Sequence, residues 1–338
     1  MHVPFLETIR RRRPSRRLLV LSGIALVALL AGALLLYARY FGPASPSSVP
    51  ATEFIVPPDT EFDTVARELK LGGYIRSITA FRVAYGATGH LRDIREGGYR
   101  ISPSMDAWTI ADKLSEPPYL AWVTFPPGLR KEQIADLLAK KLDWTPEEKE
   151  TWITVDTAPT PQQSEGVYFG DTYLIPYDQP PAQVAARIRT RFEEKFAPYA
   201  AELAEKNVTW SEALIMASLI EREAAKNDKA LVSGILWNRI NDGMRLQVDA
   251  TLQYVRGTEG NWWPAPRPED KQLDSPFNTY KYAGLPPHPI ASPSVESIEA
   301  ALNPEDTACL YYLHDPDGVI HCSANYAGHV SNVNRYLR

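Results

Sequence analysis

The chain has 338 residues, more than one average domain needs, with 44% hydrophobic residues and two cysteines, so two or three folded units with a proper core are expected. Beyond residue 40 it carries 29 Lys and Arg against 40 Asp and Glu, a net charge of −11, which excludes nucleic acid as a natural partner. His288, His314, His321 and His329 are scattered, and neither they nor the cysteines have metal-ligand spacing, so no metal or cofactor is expected.

The first predicted element is an apolar helix. Residues 18–38 carry no charge and are mostly Leu, Ala and Val, the length that crosses a bilayer. A cleaved secretory signal is the competing reading, but its apolar core runs only about 7 to 15 residues. Arg10, Arg11, Arg12, Arg13, Arg16 and Arg17 precede the helix. By the positive-inside rule they make residues 1–17 a cytoplasmic basic tail and place everything after the helix outside. Arg16-Arg17 also fits a twin-arginine signal, although it sits within a general arginine cluster. Residues 39–52, rich in Pro, Ser and Ala, read as a linker.

Residues 53–119 then read as a small α+β unit: a strand over 53–56, helices over 61–69 and 77–87, a Gly97-Gly98 turn into a strand, and a helix over 104–114. A second module spans 120–164, with a strand over 120–125, helices over 131–142 and 147–152, and a polar loop over 156–164. The turns Pro57-Pro58-Asp59-Thr60 and Pro126-Pro127-Gly128-Leu129 precede a helix in each, as two copies of one unit would have, or as any α+β domain might be built. From residue 165 to 338 the pattern becomes mostly helical, with helices predicted over 181–199, 211–225, 228–241, 247–255 and 295–302. Long segments dense in Trp, Tyr, Pro and Asn lie between them, and loops of that length are usually functional. Cys309 and Cys322 stand thirteen positions apart, close enough in sequence to pair in an oxidising compartment.

Glu221 is the candidate for chemistry. At helical spacing it shares a face with Leu214, Ala217, Ser218 and Ala225, a small and apolar stripe. Burial there would raise its pKa and let it serve as a general acid; the alternative is a buried, paired structural carboxylate. Glu223 falls on a different face, and Glu212 sits at the helix start, where a carboxylate is an ordinary dipole partner.

Gln247, Thr251 and Tyr254 recur at helical spacing downstream, with Asp249 placed to cap that helix or orient a neighbour. An amide, a hydroxyl and a phenol on one side suit sugar hydroxyls and acetamido groups, and equally a generic polar face. Asn278 and Tyr280 stand in Phe277-Asn278-Thr279-Tyr280, shortly before Gly284-Leu285-Pro286-Pro287, whose paired prolines stiffen a wall. Trp262, Trp263, Tyr280 and Tyr282 offer flat faces for pyranose rings, or pack into a core. No second carboxylate is fixed near Glu221, though Asp171 and Asp249 are available, whereas ordinary glycoside hydrolysis needs two.

Taken in order, the runs Ala217-Ser218-Leu219-Ile220-Glu221-Arg222-Glu223-Ala224, Trp237-Asn238-Arg239, residues 244–251, Phe277-Asn278-Thr279-Tyr280 and Gly284-Leu285-Pro286-Pro287 resemble the YceG-like (MltG) family of membrane-anchored endolytic murein transglycosylases. Residues 165–173 look like the start of its catalytic domain and 53–119 like its LysM-like subdomain. The resemblance implies an α+β protein of the bacterial inner membrane, crossing it once, with a periplasmic catalytic domain acting on peptidoglycan glycan strands, near peptidoglycan synthases. It implies cleavage of the MurNAc–GlcNAc β-1,4 bond to leave 1,6-anhydroMurNAc ends, terminating strand elongation. The substrate's own C6 hydroxyl would attack, so Glu221 alone could act as acid and then base. Gln247, Asp249, Thr251, Asn278 and Tyr280 match family motif positions, and Tyr254 joins them as a substrate-binding candidate. Departures include Gly170 where proline is usual, and His288 where glycine is common. A non-catalytic peptidoglycan-binding scaffold and a hydrolytic muramidase are the rival readings.

Overall fold

The structure, a computed structural model, describes residues 16–90, 93–158, 165–225 and 227–337. All but the last two residues of the predicted basic tail, and residues 159–164 of the polar loop, lie outside them. The fold is α+β and divides into two compact units, Met1–Leu120 and Ala121–Arg338.

The first unit opens with helix α1 (Arg16–Tyr40). Its stretch Val20–Tyr40 has a mean hydropathy of 2.4 and is long and apolar enough to cross a membrane. Among the described residues none buries its apolar window, which fits a membrane anchor. There follow β1 (Thr52–Val56), α2 (Phe62–Leu71), α3 (Ile78–Ala87), β2 (Gly97–Ile101) and α4 (Ala107–Ser115). Strands β1 and β2 pair antiparallel, Thr52 opposite Ile101 and Val56 opposite Gly97. Helices α2 and α4 bury residues at i, i+3, i+4 and i+7: Phe62, Val65, Ala66 and Leu69 on α2, and Ala107, Ile110, Ala111 and Leu114 on α4. That spacing lines one helical face, and it seals a small core around Phe81 and Tyr85. Ser77 and Asp106 cap α3 and α4 by accepting from the amides of Ala80 and Thr109.

The second unit is built mainly from helices. After β3 (Leu120–Thr124), which begins at the boundary, come α5 (Lys131–Leu142), α6 (Pro146–Thr151), a single π turn over Trp152–Asp156, and β4 (Thr172–Pro176) beside β3. Helices α7 (Pro181–Phe196), α8 (Ala200–Lys206), α9 (Trp210–Glu223), α10 (Lys229–Asn241), α11 (Asp249–Arg256) and α12 (Val295–Leu302) follow. The hairpin β5 (Tyr311–His314) and β6 (Ile320–Ser323) and helix α13 (Tyr326–Tyr336) close the chain. Strand β4, helix α8, this hairpin and α13 are additions to the sequence reading. Cys309 and Cys322 are joined in a disulfide, with Cα atoms 5.8 Å apart, bracing the hairpin.

Residues 121–158 share one core with the helices that follow. Val123, Phe125, Ile134, Leu138 and Trp152 pack in the same cluster as Tyr168, Ile188, Leu214, Leu219 and Ile298. Trp152 has no exposed surface and lies with its ring centroid 5.4 Å from that of Tyr168. Truncating a buried Trp removes its transfer energy and leaves a cavity, so Trp152→Ala should cost about 3–5 kcal/mol. Urea unfolding followed by near-ultraviolet circular dichroism should show the whole second unit losing stability in one shifted transition. A separate small transition, with the rest unmoved, would mean that residues 121–158 fold on their own.

Candidate active site

Helix α9 begins with a capping box: the Thr209 amide donates to Glu212 Oε2 at 2.8 Å and the Glu212 amide to Thr209 Oγ at 3.2 Å. Residues 213–220 are all buried, so the helix runs through the core rather than along its surface. Two polar members of its small-residue stripe, Ser218 and Glu221, are three positions apart and face the same partner, the segment from Ile290 to Ser297. Ser218 Oγ accepts from the Ile290 amide at 3.1 Å, and Glu221 meets the start of α12.

There, four donors converge on one oxygen. Glu221 Oε2 accepts from the Ser294 amide (3.0 Å), Ser294 Oγ (2.6 Å), Ser297 Oγ (2.6 Å) and Lys229 Nζ (3.0 Å). Ser294 is also the N-cap of α12, so the carboxylate lies at the positive end of a helix dipole. Lys229 Nζ further donates to Ser294 Oγ at 2.9 Å, closing the network. Oε1 has no hydrogen-bond partner among the described residues. It lies beside Gly128, where a Cβ would come within 4.0 Å of it. The turn carrying Gly128 is clasped to the same segment by Gly128 N to Ser292 O and Ser292 N to Leu129 O.

This environment corrects one expectation. Burial does push the Glu221 carboxyl upward, but the Ser294 and Ser297 donors and the Lys229 charge outweigh it and hold the pKa below its ordinary value of 4.5. The apolar stripe on its own helix suggested the opposite sign, because the donors come from α10 and α12. Resting Glu221 is therefore a carboxylate, with one oxygen committed and one open.

Neighbouring carboxyls differ. Burial raises Glu223, whose two oxygens already accept from the Ala250 amide and from Tyr312 Oη at 2.8 Å. Glu165, with no exposed surface, is pushed up by burial and by the charge of Glu132, while accepting from the Lys131 and Gly166 amides; it serves the start of α5. Asp171 is tied to Arg191 at 2.8 Å, and no hydrogen bond links it to Glu221.

The downstream candidates are placed as follows. Helix α11 starts at Asp249, so Gln247 does not share its face with Thr251 and Tyr254 as the spacing suggested. Gln247 precedes it in a left-handed turn (φ 52°), with an exposed side chain. Thr251 is buried, its hydroxyl bonded to Val248 O at 2.7 Å and to Thr279 Oγ. Tyr254 lies against the Arg130 guanidinium, 4.2 Å from the ring centroid, and against Phe277 and His288. Asp249 accepts from Tyr280 Oη at 2.7 Å. Asn278 is buried and organises its loop, Nδ2 donating to the Lys271 and Leu273 carbonyls and Oδ1 accepting from the Tyr280 amide. The exposed Gln247 side chain makes no hydrogen bond among the described residues, whereas the polar groups of Thr251 and Asn278 are engaged within the protein. Trp262 and Trp263 each present a face to an arginine, Arg130 and Arg222.

Ser294, Ser297, Lys229 and Gly128 were not singled out by sequence. A signal for Ser294 did exist, a serine directly before an apolar helical run with another serine three positions on, but it marks a cap without revealing what the cap faces. An apolar groove of about 540 Å³ lined by Phe192, Phe196, Leu203 and Trp210 also exists in this unit, without Glu221 in its wall.

The YceG-like family's sequence model matches residues 54–335, and the chain belongs to that family. It is 28% identical over 318 residues to the endolytic murein transglycosylase of Streptococcus pneumoniae serotype 2, covering 83% of this chain but only 58% of that relative's length. The endolytic murein transglycosylase of Bacillus subtilis strain 168 is 28% identical over 337 residues, covering 91% of each chain. A crystal structure of a YceG-like protein from Listeria monocytogenes superposes with a TM-score of 0.59 at 25% identity, over 84% of this chain and 99% of the other.

Because Ser297 donates to an ionised carboxylate, its removal should cost about 1.5–3 kcal/mol at neutral pH. Glu221 has a depressed folded pKa, so its contribution is complete above the ordinary value of 4.5 and is lost as pH falls through the folded one. Urea denaturation of Ser297→Ala and the parent should therefore show a gap at neutral pH that closes on acidification. A gap independent of pH would show that Ser297 acts by packing alone.

Proposed function

We propose that the chain is an endolytic lytic transglycosylase acting on peptidoglycan, with Glu221 as its single acid and base. The observation that carries this reading is the split carboxylate: Oε2 held by four donors, Oε1 open beside Gly128. It is supported by family membership and by relatives bearing that activity in their names.

In this reading a glycan strand covers Oε1. Exclusion of water there raises the carboxyl's proton affinity in the complex, so the protonated form carries its proton on Oε1. That proton passes to the GlcNAc O4 as the C1–O4 bond breaks. The C6 hydroxyl oxygen of the muramic acid then bonds to C1, and its proton returns to Oε1. Atoms balance without water, Glu221 is regenerated, and the ends are 1,6-anhydroMurNAc. The depressed resting pKa suits the second half, since the carboxylate is the stable form. No second carboxylate is needed, consistent with the occupied oxygens of Glu223 and the distant role of Asp171.

The remaining assignments belong to the same proposal. Helix α1 anchors the chain once in the inner membrane, with the arginine-rich tail cytoplasmic and the rest periplasmic. The β-α-α-β order of β1, α2, α3 and β2 suits a LysM-like glycan-binding module. Cleavage near synthases would end strand elongation. Gln247, Asp249, Thr251, Tyr254, Asn278 and Tyr280 form or brace the substrate wall.

The test is to incubate the full chain in detergent, and its Glu221→Gln variant, with purified murein and identify products by mass spectrometry. Anhydro ends should appear with the parent and fall by about 10²- to 10⁴-fold with the variant. Hydrated reducing ends would instead mark a muramidase, and no release by the parent a binding scaffold.

A further inference from the structure

Arg130 and Arg239 are buried and Arg222 is half-buried in the second unit, and the first two meet firm acceptors. Arg130 donates from Nε and Nη2 to Glu132 at 3.0 and 3.2 Å and from Nη1 to Tyr254 O at 2.9 Å. Arg239 donates to the Leu310 and Leu246 carbonyls. Arg222 is the exception. Its guanidinium lies 3.9 Å from the Trp263 ring centroid, a cation–π stack that fixes its plane. Its one acceptor among the described residues is Gly128 O, at a long 3.5 Å from Nη1. Among the described residues Nε is buried without an acceptor and no carboxylate forms an ion pair with the guanidinium. Burial correspondingly makes its charged form less favourable than usual. A cation withdrawn from water with donors unfilled is costly unless a ligand fills them.

These donors lie beside the open oxygen of Glu221. A Cβ on Gly128 would lie 3.7 Å from Arg222 Nη1 and 4.0 Å from Glu221 Oε1. The guanidinium and the open carboxylate oxygen therefore flank one spot, which a glycine at φ +82° keeps clear. An acceptor oxygen resting against the bare Cα of Gly128, close enough to Nη1, would receive an N–H from Arg222 while the bond being broken lies at Oε1. Because guanidinium only donates, the ligand group must be an acceptor. On an N-acetylated glycan the strong neutral acceptor near C1 is the carbonyl of the acetamido group carried by C2.

We propose that Arg222 is a substrate-binding residue that takes the acetamido carbonyl of the sugar whose C1 is released, with Trp263 holding its guanidinium in place and Gly128 leaving the room. This assignment rests on the transglycosylase reading above and adds a specificity determinant to it: N-acetylation of the sugar on the leaving bond is read by Arg222.

The experiment measures binding in a chain that does not cut. Full-length Glu221→Gln protein, with Arg222 or with Arg222→Met, is titrated with peptide-free murein glycan strands, either fully N-acetylated or chemically de-N-acetylated. Arg222→Met should weaken binding to acetylated strands about tenfold or more. On de-N-acetylated strands it should make no difference, or strengthen binding by relieving repulsion between two cations. An equal loss on both kinds of strand would overturn the assignment, as would no loss on either. If the Met variant does not fold, as judged by its thermal transition, Arg222→Lys keeps the charge without the stacked fork and carries the same comparison. Absence of anhydro ends from the cutting protein would overturn the transglycosylase reading instead, so the two failures are distinguishable.

Discussion

Everything proposed for this protein depends on four donors meeting one oxygen of Glu221. The Ser294 amide and hydroxyl, the Ser297 hydroxyl and the Lys229 ammonium come from α10 and the start of α12, while the carboxylate comes from the end of α9. Three helices must therefore dock correctly for the site to exist, and the buried face of α9 is what docks them. A charge this enclosed is tolerable only when fully paired. Here the pairing is confined to one side of the carboxyl group, and the other side stays available to a reacting atom.

That asymmetry separates Glu221 from its neighbours better than titration does. Glu223 and Glu165 are the buried neighbours whose pKa values rise, and direction of shift alone would nominate either as a general acid. Both oxygens of each are already engaged, Glu223 by the Ala250 amide and Tyr312, and Glu165 by the Lys131 and Gly166 amides. They bind elements together: α9 to α11 and β5 in one case, the chain before β4 to α5 in the other. A depressed pKa with an open oxygen is the more useful state for a group that must take a proton back in each turnover.

Much of the fold was legible because its helices carry strong local signals. Residues 131–142 and 295–302 were read to the residue, since apolar spacing and a clear start coincide in both. Helix α13 and the hairpin of β5 and β6 were not, and the reason is physical: α13 buries no residue fully and Leu313 is the one fully buried residue of the hairpin, so neither shows the periodicity that reveals an element. Helix α11 was begun two residues early because Gln247 continues the helical spacing while its backbone turns left-handed. At the site, Glu221 was visible as a charge on an apolar stripe. Its partners lie as many as 76 positions away, and local pattern says nothing of them; hence the carboxylate was found while the sign of its shift was misjudged.

The most direct test of the central claim is a carbon-13 NMR titration of the Glu221 side-chain carboxyl in the ligand-free protein, assigned by its disappearance in Glu221→Gln. A midpoint below the ordinary glutamate value of 4.5 is predicted, because the donors on Oε2 outweigh burial. A midpoint above it would show an unpaired buried acid, and the account of one committed oxygen and one open one would fall.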